Sequence, residues 1–275
     1  MPELPEVETT RKGIDAVATG RVLQRMVVHD SRMRWPIPSG LPEWVRGQQV
    51  KACRRRGKYL LLEFDRGTQL IHLGMSGSLR SVQTGEILRK HDHVEWHFDH
   101  LTLRLHDPRR FGAVLWHPAK DGPVEQHPLL QKLGIEPFDA AFDAEHLRKG
   151  FKGRQMAIKP ALLAGDVVVG AGNIYASECL FRAKIHPATP AARLSLARCA
   201  RLVESLRSTL KDALESGGST LRDYVNATGE AGAYFTTHAA VYEHDGKPCK
   251  ACSRLIKRIV QGQRATYYCP NCQKR

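Results

Sequence analysis

At 275 residues and 30.8 kDa the chain exceeds what one hydrophobic core usually fills, and its 42% hydrophobic content can support two or more structural units, which excludes wholesale disorder. Forty-two Lys and Arg against 28 Asp and Glu give a formal charge of +14 and a pI near 9.7, so the expected partner is polyanionic, nucleic acid ahead of an anionic membrane surface. No run approaches the ~18 apolar residues of a transmembrane helix, and MPELPEVETTRKG puts carboxylates where a signal peptide would be basic and then apolar, so a soluble, cytoplasmic protein is expected.

The first predicted element is a helix from Glu6 to about Ala18, with Pro5 in its first turn and Gly20 just beyond its end. Seven short segments follow that are rich in β-branched, aromatic and Leu residues and punctuated by Gly, Pro or Asp. They are Val22 to His29, Val50 to Cys53, Lys58 to Phe64, Thr68 to Leu73, His93 to Phe98, Leu101 to Leu105 and Ala113 to Trp116. They predict an antiparallel sandwich or barrel carrying one helix. After about Pro137 the pattern turns helical, over Ala144 to Gly150, Ala157 to Leu163, Asn173 to Ala183 and Ser195 to Glu215. The last has Leu196, Ala200, Val203, Leu206, Leu210 and Leu214 at helical spacing, closed by Gly217-Gly218. Residues 217 to 246 are Gly-rich and irregular, a candidate mobile loop. The expected divisions are 1–135, 136–240 (with a loop at about 217–234) and 241–275.

Of seven cysteines, four crowd into the last 27 residues as Cys249-x2-Cys252 and Cys269-x2-Cys272, sixteen residues apart. Each C-x2-C turn brings two sulfurs to one ion, and the span between can form a β-hairpin, so one tetrahedral structural Zn²⁺ is expected, closed to substrate. Cys53, Cys179 and Cys199 read as free buried thiols. Lys250, Arg254, Lys257, Arg258, Arg264, Lys274 and Arg275 surround the cluster with no Asp or Glu from 249 to 275, which suits phosphate contacts that confer affinity without sequence specificity.

The small Pro2 favours removal of Met1, which would leave a secondary amine. An α-amino group titrates near ~8, so part of it is uncharged and nucleophilic at neutral pH, whereas lysine near ~10.4 needs a large shift. Amine attack on a sugar C1′ expels a base and forms an iminium, after which the sugar can eliminate its phosphates. Glu3 is placed to act as acid or proton shuttle, with Glu6 one helical turn on as a supporting carboxylate. Acidic residues in a first turn are also ordinary complements of the helix dipole.

MPELPEVETTRKGI, RRRGKYLLLEF, IHLGMSGSLR, KHDHVEW, DPRRFGAVLW, GAGNIYASECLFRAKIHP, GGSTLRDYVNATGEAGAYF and the terminal CxxC…QRATYYCPNC run in order across essentially the whole chain. Together they resemble the bacterial formamidopyrimidine-DNA glycosylase family, and MPELPE rather than MPEGPE favours its purine-lesion branch over the related endonuclease VIII branch. The resemblance implies an α+β protein: an N-terminal antiparallel β-sandwich with an N-terminal helix, then a helical helix-two-turns-helix domain ending in a zinc-binding β-hairpin. It implies a monomeric, bifunctional glycosylase and AP lyase acting on duplex DNA that contains oxidised purines or abasic sites. The lyase step is β,δ-elimination, and no redox cofactor is needed.

The resemblance also assigns residues. Pro2 is the nucleophile, Glu3 the acid, and Lys58 a phosphate contact that aids the chemistry. His72, Asn173 and Arg264 grip the backbone around the lesion. Asn173 follows Gly170-Ala171-Gly172 and opens a helix, so helix N–H groups can join it on a phosphate. Because the excised nucleotide leaves the stack, Met75, Arg109 and Phe111 fill the void, with Arg110 beside them. Lys159, in the AIKP block, and Thr220, Leu221, Arg222, Asp223 and Tyr224 are candidate lesion contacts. The chain departs from the family at Ala164, where a carboxylate is usual, and at Ala171 and Ala239, where larger apolar residues are usual. Two rival expectations are an oxidised-pyrimidine glycosylase of the endonuclease VIII type and a non-catalytic zinc-containing reader of damaged DNA, which would need no proline–glutamate pair.

Overall fold

The computed structural model describes residues 2–83, 85–219 and 232–275 and divides into two compact units. The first comprises Met1–Gln131 with Ser216–Ala233, and the second Lys132–Glu215 with Tyr234–Arg275.

In the first unit, helix α1 runs Leu4–Ala18. Proline in the first turn has φ preset and lacks only an N–H that the helix could not use. Glu3 caps the helix in a reciprocal capping box with Glu6. Leu4, Val7, Ile14 and Ala18 form its buried stripe. The strands and one further helix follow as β1 (Arg25–Val28), α2 (Leu41–Val45), β2 (Ala52–Arg56), β3 (Tyr59–Phe64), β4 (Gly67–His72), β5 (Ser78–Val82), β6 (Asp92–His97), β7 (Thr102–His106) and β8 (Ala113–Pro118). They form two four-stranded antiparallel sheets, β1-β6-β7-β5 and β2-β3-β4-β8. One core unites them with α1: Met26, Leu79, Val94, Trp96, Leu103 and Leu105 face Leu60, Leu62, Phe64, Ile71 and Val114. Gln69 is fully buried in this core and satisfied across the sheets, its Oε1 accepting the Trp96 indole N–H at 2.8 Å. The expected sandwich is thus present.

Strand β5 and helix α2 went unpredicted in this unit. Strand β5 carries Arg80, which no apolar alternation would place inside; it is buried because Asp92 accepts from its guanidinium at 3.3 Å. Helix α2 has five residues, too few to show a period. The first predicted strand contracts to β1, and Val22 keeps only an isolated bridge to Gln49.

In the second unit lie α3 (Ala144–Phe151), α4 (Ile158–Ala164), α5 (Asn173–Arg182), α6 (Leu196–Glu215), the short α7 (Tyr234–Thr237), β9 (Lys257–Gln261) and β10 (Arg264–Tyr268). Helix α6 packs on α3 and α5. Its buried face is Cys199, Leu202, Val203, Leu206, Thr209, Leu210 and Ala213, which leaves Leu196 and Ala200 of the predicted stripe exposed. Helix α4 ends at Gly165 in the left-handed region (φ +73), and residues 165–172 turn the chain into α5, whose N-cap is Gly172. Strands β9 and β10 pair antiparallel around Gly262 (φ +53) and Gln263 (φ +62), a two-residue turn with both residues left-handed, as a type I′ hairpin requires. Among the described residues no helix is long and apolar enough to cross a membrane.

Candidate functional site

The amino-terminal segment is buried: Pro2 is enclosed, and Glu3 and Glu6 are 1% and 2% exposed. Glu6 Oε2 accepts the Glu3 N–H at 2.7 Å, and Glu6 Oε1 accepts the Ser219 N–H at 2.6 Å. One carboxylate therefore ties the start of α1 to a residue 213 positions away. Ser219 bridges Ala233, and a Cβ on Gly232 would fall 2.4 Å from the Gly218 carbonyl oxygen, so the chain on either side of 220–231 is in close backbone contact. The lesion contacts predicted at Thr220, Leu221, Arg222, Asp223 and Tyr224 lie outside the described residues.

Lys58 and His72 belong to adjoining strand ends of one sheet. Lys58 follows the Gly57 turn (φ +56) between β2 and β3, and Tyr59 pairs with His72 in register. The Gly74 N–H donates to His72 Nδ1 at 3.0 Å. A nitrogen that accepts carries no proton, so the imidazole is the Nε2–H tautomer with that N–H as its remaining donor. Burial first, then the charges of Lys58 and Arg34, push its pKa down to about 4. It is a neutral donor beside a cation.

Met75 and Phe111 are exposed apolar side chains, at 42% and 44%, on loops that touch. A Cβ on Gly74 (φ +65) would lie 2.5 Å from Gly112 N and from the carbonyl carbon of Phe111. The Arg109 guanidinium lies 4.7 Å from the centre of the Phe111 ring. The structure thus brings Met75, Arg109 and Phe111 together. Arg110, predicted beside them, adopts φ +54 and is committed to Asp30 at 2.9 Å.

In the second unit Lys159 lies in the helix predicted over Ala157 to Leu163: it is the second residue of α4, with Pro160 tolerated in the first turn, and it is 0% exposed. Its ammonium donates to Asn173 Oδ1 at 2.7 Å, the Ala265 carbonyl at 2.9 Å and Thr266 Oγ1 at 2.9 Å. An ammonium only donates, so the Asn173 carbonyl oxygen must face it. Asn173 Nδ2 accordingly faces the Ala265 carbonyl at 3.0 Å and the Tyr242 hydroxyl at 3.4 Å. Lys159 thereby joins Asn173, first residue of α5, to the strand residue that follows Arg264. Arg264 itself is exposed beside the hairpin turn.

The sulfurs of Cys249, Cys252, Cys269 and Cys272 all lie within 4.8 Å of one another, with Cys249 to Cys272 at 4.0 Å and Cys252 to Cys269 at 3.4 Å. Tetrahedral Zn–S bonds of about 2.3 Å require S···S separations near ~3.8 Å, so these residues fit one zinc ion with all four positions taken. Cys249 and Cys269 also pack in a small apolar cluster with Val241, Ile256 and Tyr267. Cys53, Cys179 and Cys199 are buried thiols away from the cluster, as expected, and burial pushes that of Cys53 up to about 12.

Asp107 had no assigned role, although it is completely buried between the void-filling residues. The signal was available in Asp-Pro-Arg: Asp107 Oδ1 accepts the Arg109 N–H at 3.3 Å, the Asx turn that such a sequence favours.

Comparison with known proteins covers nearly the whole chain. Residues 1–114 match the formamidopyrimidine-DNA glycosylase N-terminal domain, residues 133–225 the H2TH domain of the same glycosylase, and residues 246–275 a zinc finger found in FPG and IleRS. Formamidopyrimidine-DNA glycosylases of Bordetella petrii and Burkholderia multivorans are 68% and 54% identical to it, with both chains covered completely. Among solved structures, a mutant Lactococcus lactis FPG in complex with a Fapy-dG containing DNA superposes with a TM-score of 0.91 at 32% identity, covering 100% of each chain. The MutM (FPG) protein of Thermus thermophilus superposes at 0.88 with 37% identity, over 99% of this chain and 98% of that one.

Proposed function

The chain belongs to the formamidopyrimidine-DNA glycosylase family, and on that premise we propose that Pro2 is its nucleophile in excising oxidised purines from duplex DNA. It is a DNA glycosylase of base-excision repair with AP lyase activity and one structural zinc ion. The observation that carries the Pro2 assignment is the buried Pro2-Glu3 pair, held at the head of α1 by the Glu6 carboxylate.

With Met1 removed, the Pro2 amine forms a bond to C1′ while the C1′–N bond to the base breaks, and the base leaves with the bonding electrons and takes up a proton. The ring oxygen departs from C1′ as a hydroxyl on proton transfer, for which Glu3 is the donor, leaving an iminium. The iminium acidifies C2′–H, whose loss expels the 3′ phosphate and forms a C2′=C3′ double bond. Through that conjugation C4′–H becomes acidic in turn, its loss expels the 5′ phosphate, and water releases the sugar fragment and regenerates the amine.

The other site residues follow in the same reading. Lys58 and the Nε2–H of His72 hold phosphates from the first unit, and Asn173 and Arg264 from the second. Met75 and Phe111 wedge into the vacated stack, where Arg109 hydrogen-bonds the orphaned base. Arg110 orders that loop through Asp30 rather than by reaching DNA. Glu6 joins the nucleophile segment to Ser219, and residues 220–224 contact the lesion. Lys159 acts through Asn173. Functional modules 1–135, 136–240 and 241–275 accord with these roles. Zinc, held by Cys249, Cys252, Cys269 and Cys272, supplies rigidity to the hairpin and no step of the reaction. One monomer suffices for one asymmetric lesion on the cytoplasmic chromosome.

Borohydride trapping tests the assignment. Met1-processed protein should form a covalent adduct at Pro2 on a duplex with 8-oxoguanine opposite cytosine, in preference to one with an oxidised pyrimidine. Preference for the pyrimidine would move the enzyme to the endonuclease VIII branch. Binding to both without an adduct would overturn the nucleophile.

A further inference from the structure

We propose that Asp107 is a positioning residue that locks the two loops carrying Met75, Arg109 and Phe111 into one rigid wedge, an inference that rests on the void-filling role given to those residues above. The three side chains come from separate segments, the β4–β5 connection and the β7–β8 connection. Unstacking a base step costs a few kcal/mol, and side chains on independently yielding loops would retreat from the stack rather than open it.

Asp107 ends that independence. Fully buried just after β7, it accepts the Ser76 hydroxyl at 3.0 Å and the Arg109 N–H at 3.3 Å on Oδ1, and the Gly112 N–H at 2.8 Å on Oδ2. Ser76 follows Met75 in the chain and Gly112 follows Phe111, so the carboxylate holds a group belonging to, or next to, every member of the trio. Its backbone is equally committed: the Asp107 N–H donates to the His91 carbonyl at 3.0 Å, and its own carbonyl accepts from Arg110 N at 3.2 Å and pairs with His93 Nε2 at 2.9 Å. Glycine makes the contact possible. A Cβ on Gly112 would stand 2.7 Å from the His72 carbonyl oxygen and 3.0 Å from Asp107 Oδ2. Only a carboxylate offers acceptors alone on both oxygens at this spacing. The near-isosteric Asp107→Asn turns one oxygen into a donor, aimed at a donor already there.

The test separates positioning from folding and from chemistry. Asp107→Asn and the milder Ser76→Ala, which removes one of the three grips, are compared with native protein on two substrates. One is an 8-oxoguanine·cytosine duplex with 2-aminopurine beside the lesion, and the other a single-stranded abasic oligonucleotide that needs no unstacking. Asp107→Asn should lose the fluorescence rise that reports unstacking and slow excision by about 10–100-fold, with Ser76→Ala intermediate. Borohydride trapping on the single strand should stay near native for both. Equal losses on the two substrates, or native excision from the duplex, would overturn the inference. Met75→Ala and Phe111→Ala serve as controls. If both keep the fluorescence rise, the wedge reading fails and takes this inference with it. If they lose it while Asp107→Asn and Ser76→Ala keep it, only the role of Asp107 fails.

Discussion

His72 shows how a residue's environment decides what it can do. Its folded pKa of about 4 lies below the ~6.5 of an unfolded histidine. The unfolded chain therefore binds this proton more readily, so the stability the neutral ring contributes is present above pH ~6.5 and lost as pH falls toward 4. The imidazole should titrate near 4 by NMR, and DNA affinity should gain nothing from its protonation between pH 8 and 5. A midpoint near 6.5 would contradict the buried, Nδ1-accepting geometry. Lys159 is the complementary case, a buried cation serving neutral oxygens. Lys159→Met strands the acceptors on Asn173, Ala265 and Thr266 and should cost about 1–3 kcal/mol, read as a lowered thermal midpoint. Its effect on DNA binding should be less than additive with Asn173→Ala, because the two act through one contact. The sequence offered little of this. The helix that carries Lys159 shows in the chain, but the partners of its ammonium lie 14, 106 and 107 positions away. Pro2 and Glu3 take a chemical reading only through the resemblance, since composition alone makes them an ordinary acidic first turn.

The elements that were legible are those with a period long enough to read. Helices α1, α3, α4, α5 and α6 fall within two residues of their predicted bounds, and both sheets rest on strands whose apolar character shows in the chain. Strand β5 escaped because it buries its polar side through ion pairs, and the inward face of α6 was misread because Cys199 and Thr209 occupy positions a Leu pattern would not choose. The zinc hairpin was the clearest of all, since four sulfurs at fixed spacing admit few geometries. Chelation should release one zinc per chain, measured with a chromogenic indicator. DNA affinity should fall as Arg264 loses its platform, while far-UV circular dichroism keeps most of its signal, because neither four-stranded sheet contains a cysteine ligand. Zinc release without loss of DNA binding would detach Arg264 from the phosphate grip.

For the protein as a whole, the net charge of +14 makes affinity an electrostatic quantity before it is anything else. A protein that neutralises phosphates releases condensed counterions, so the logarithm of its binding constant falls linearly with the logarithm of salt, with a slope near −0.9 per contact on duplex DNA. Composition made this legible, but it could not say which of the 42 cations count, because most lie on faces whose role no pattern reveals. The structure narrows the choice through what each cation already holds. Arg54, Arg80, Arg104, Arg154 and Arg182 are engaged with Glu63, Asp92, Glu95, Asp166 and Asp212, and their carboxylates already neutralise them. Arg264 stands exposed at a turn within residues 249–275, which hold no Asp or Glu. Arg264→Ala should therefore reduce the magnitude of the salt slope by about 0.9, equally for undamaged and lesion-bearing duplex, whereas Arg154→Ala should leave it unchanged. Fluorescence anisotropy over a salt series from roughly 50 to 200 mM measures both. An unchanged slope for Arg264→Ala would remove it from the phosphate contacts, and a loss confined to lesion DNA would make it a reader of damage instead.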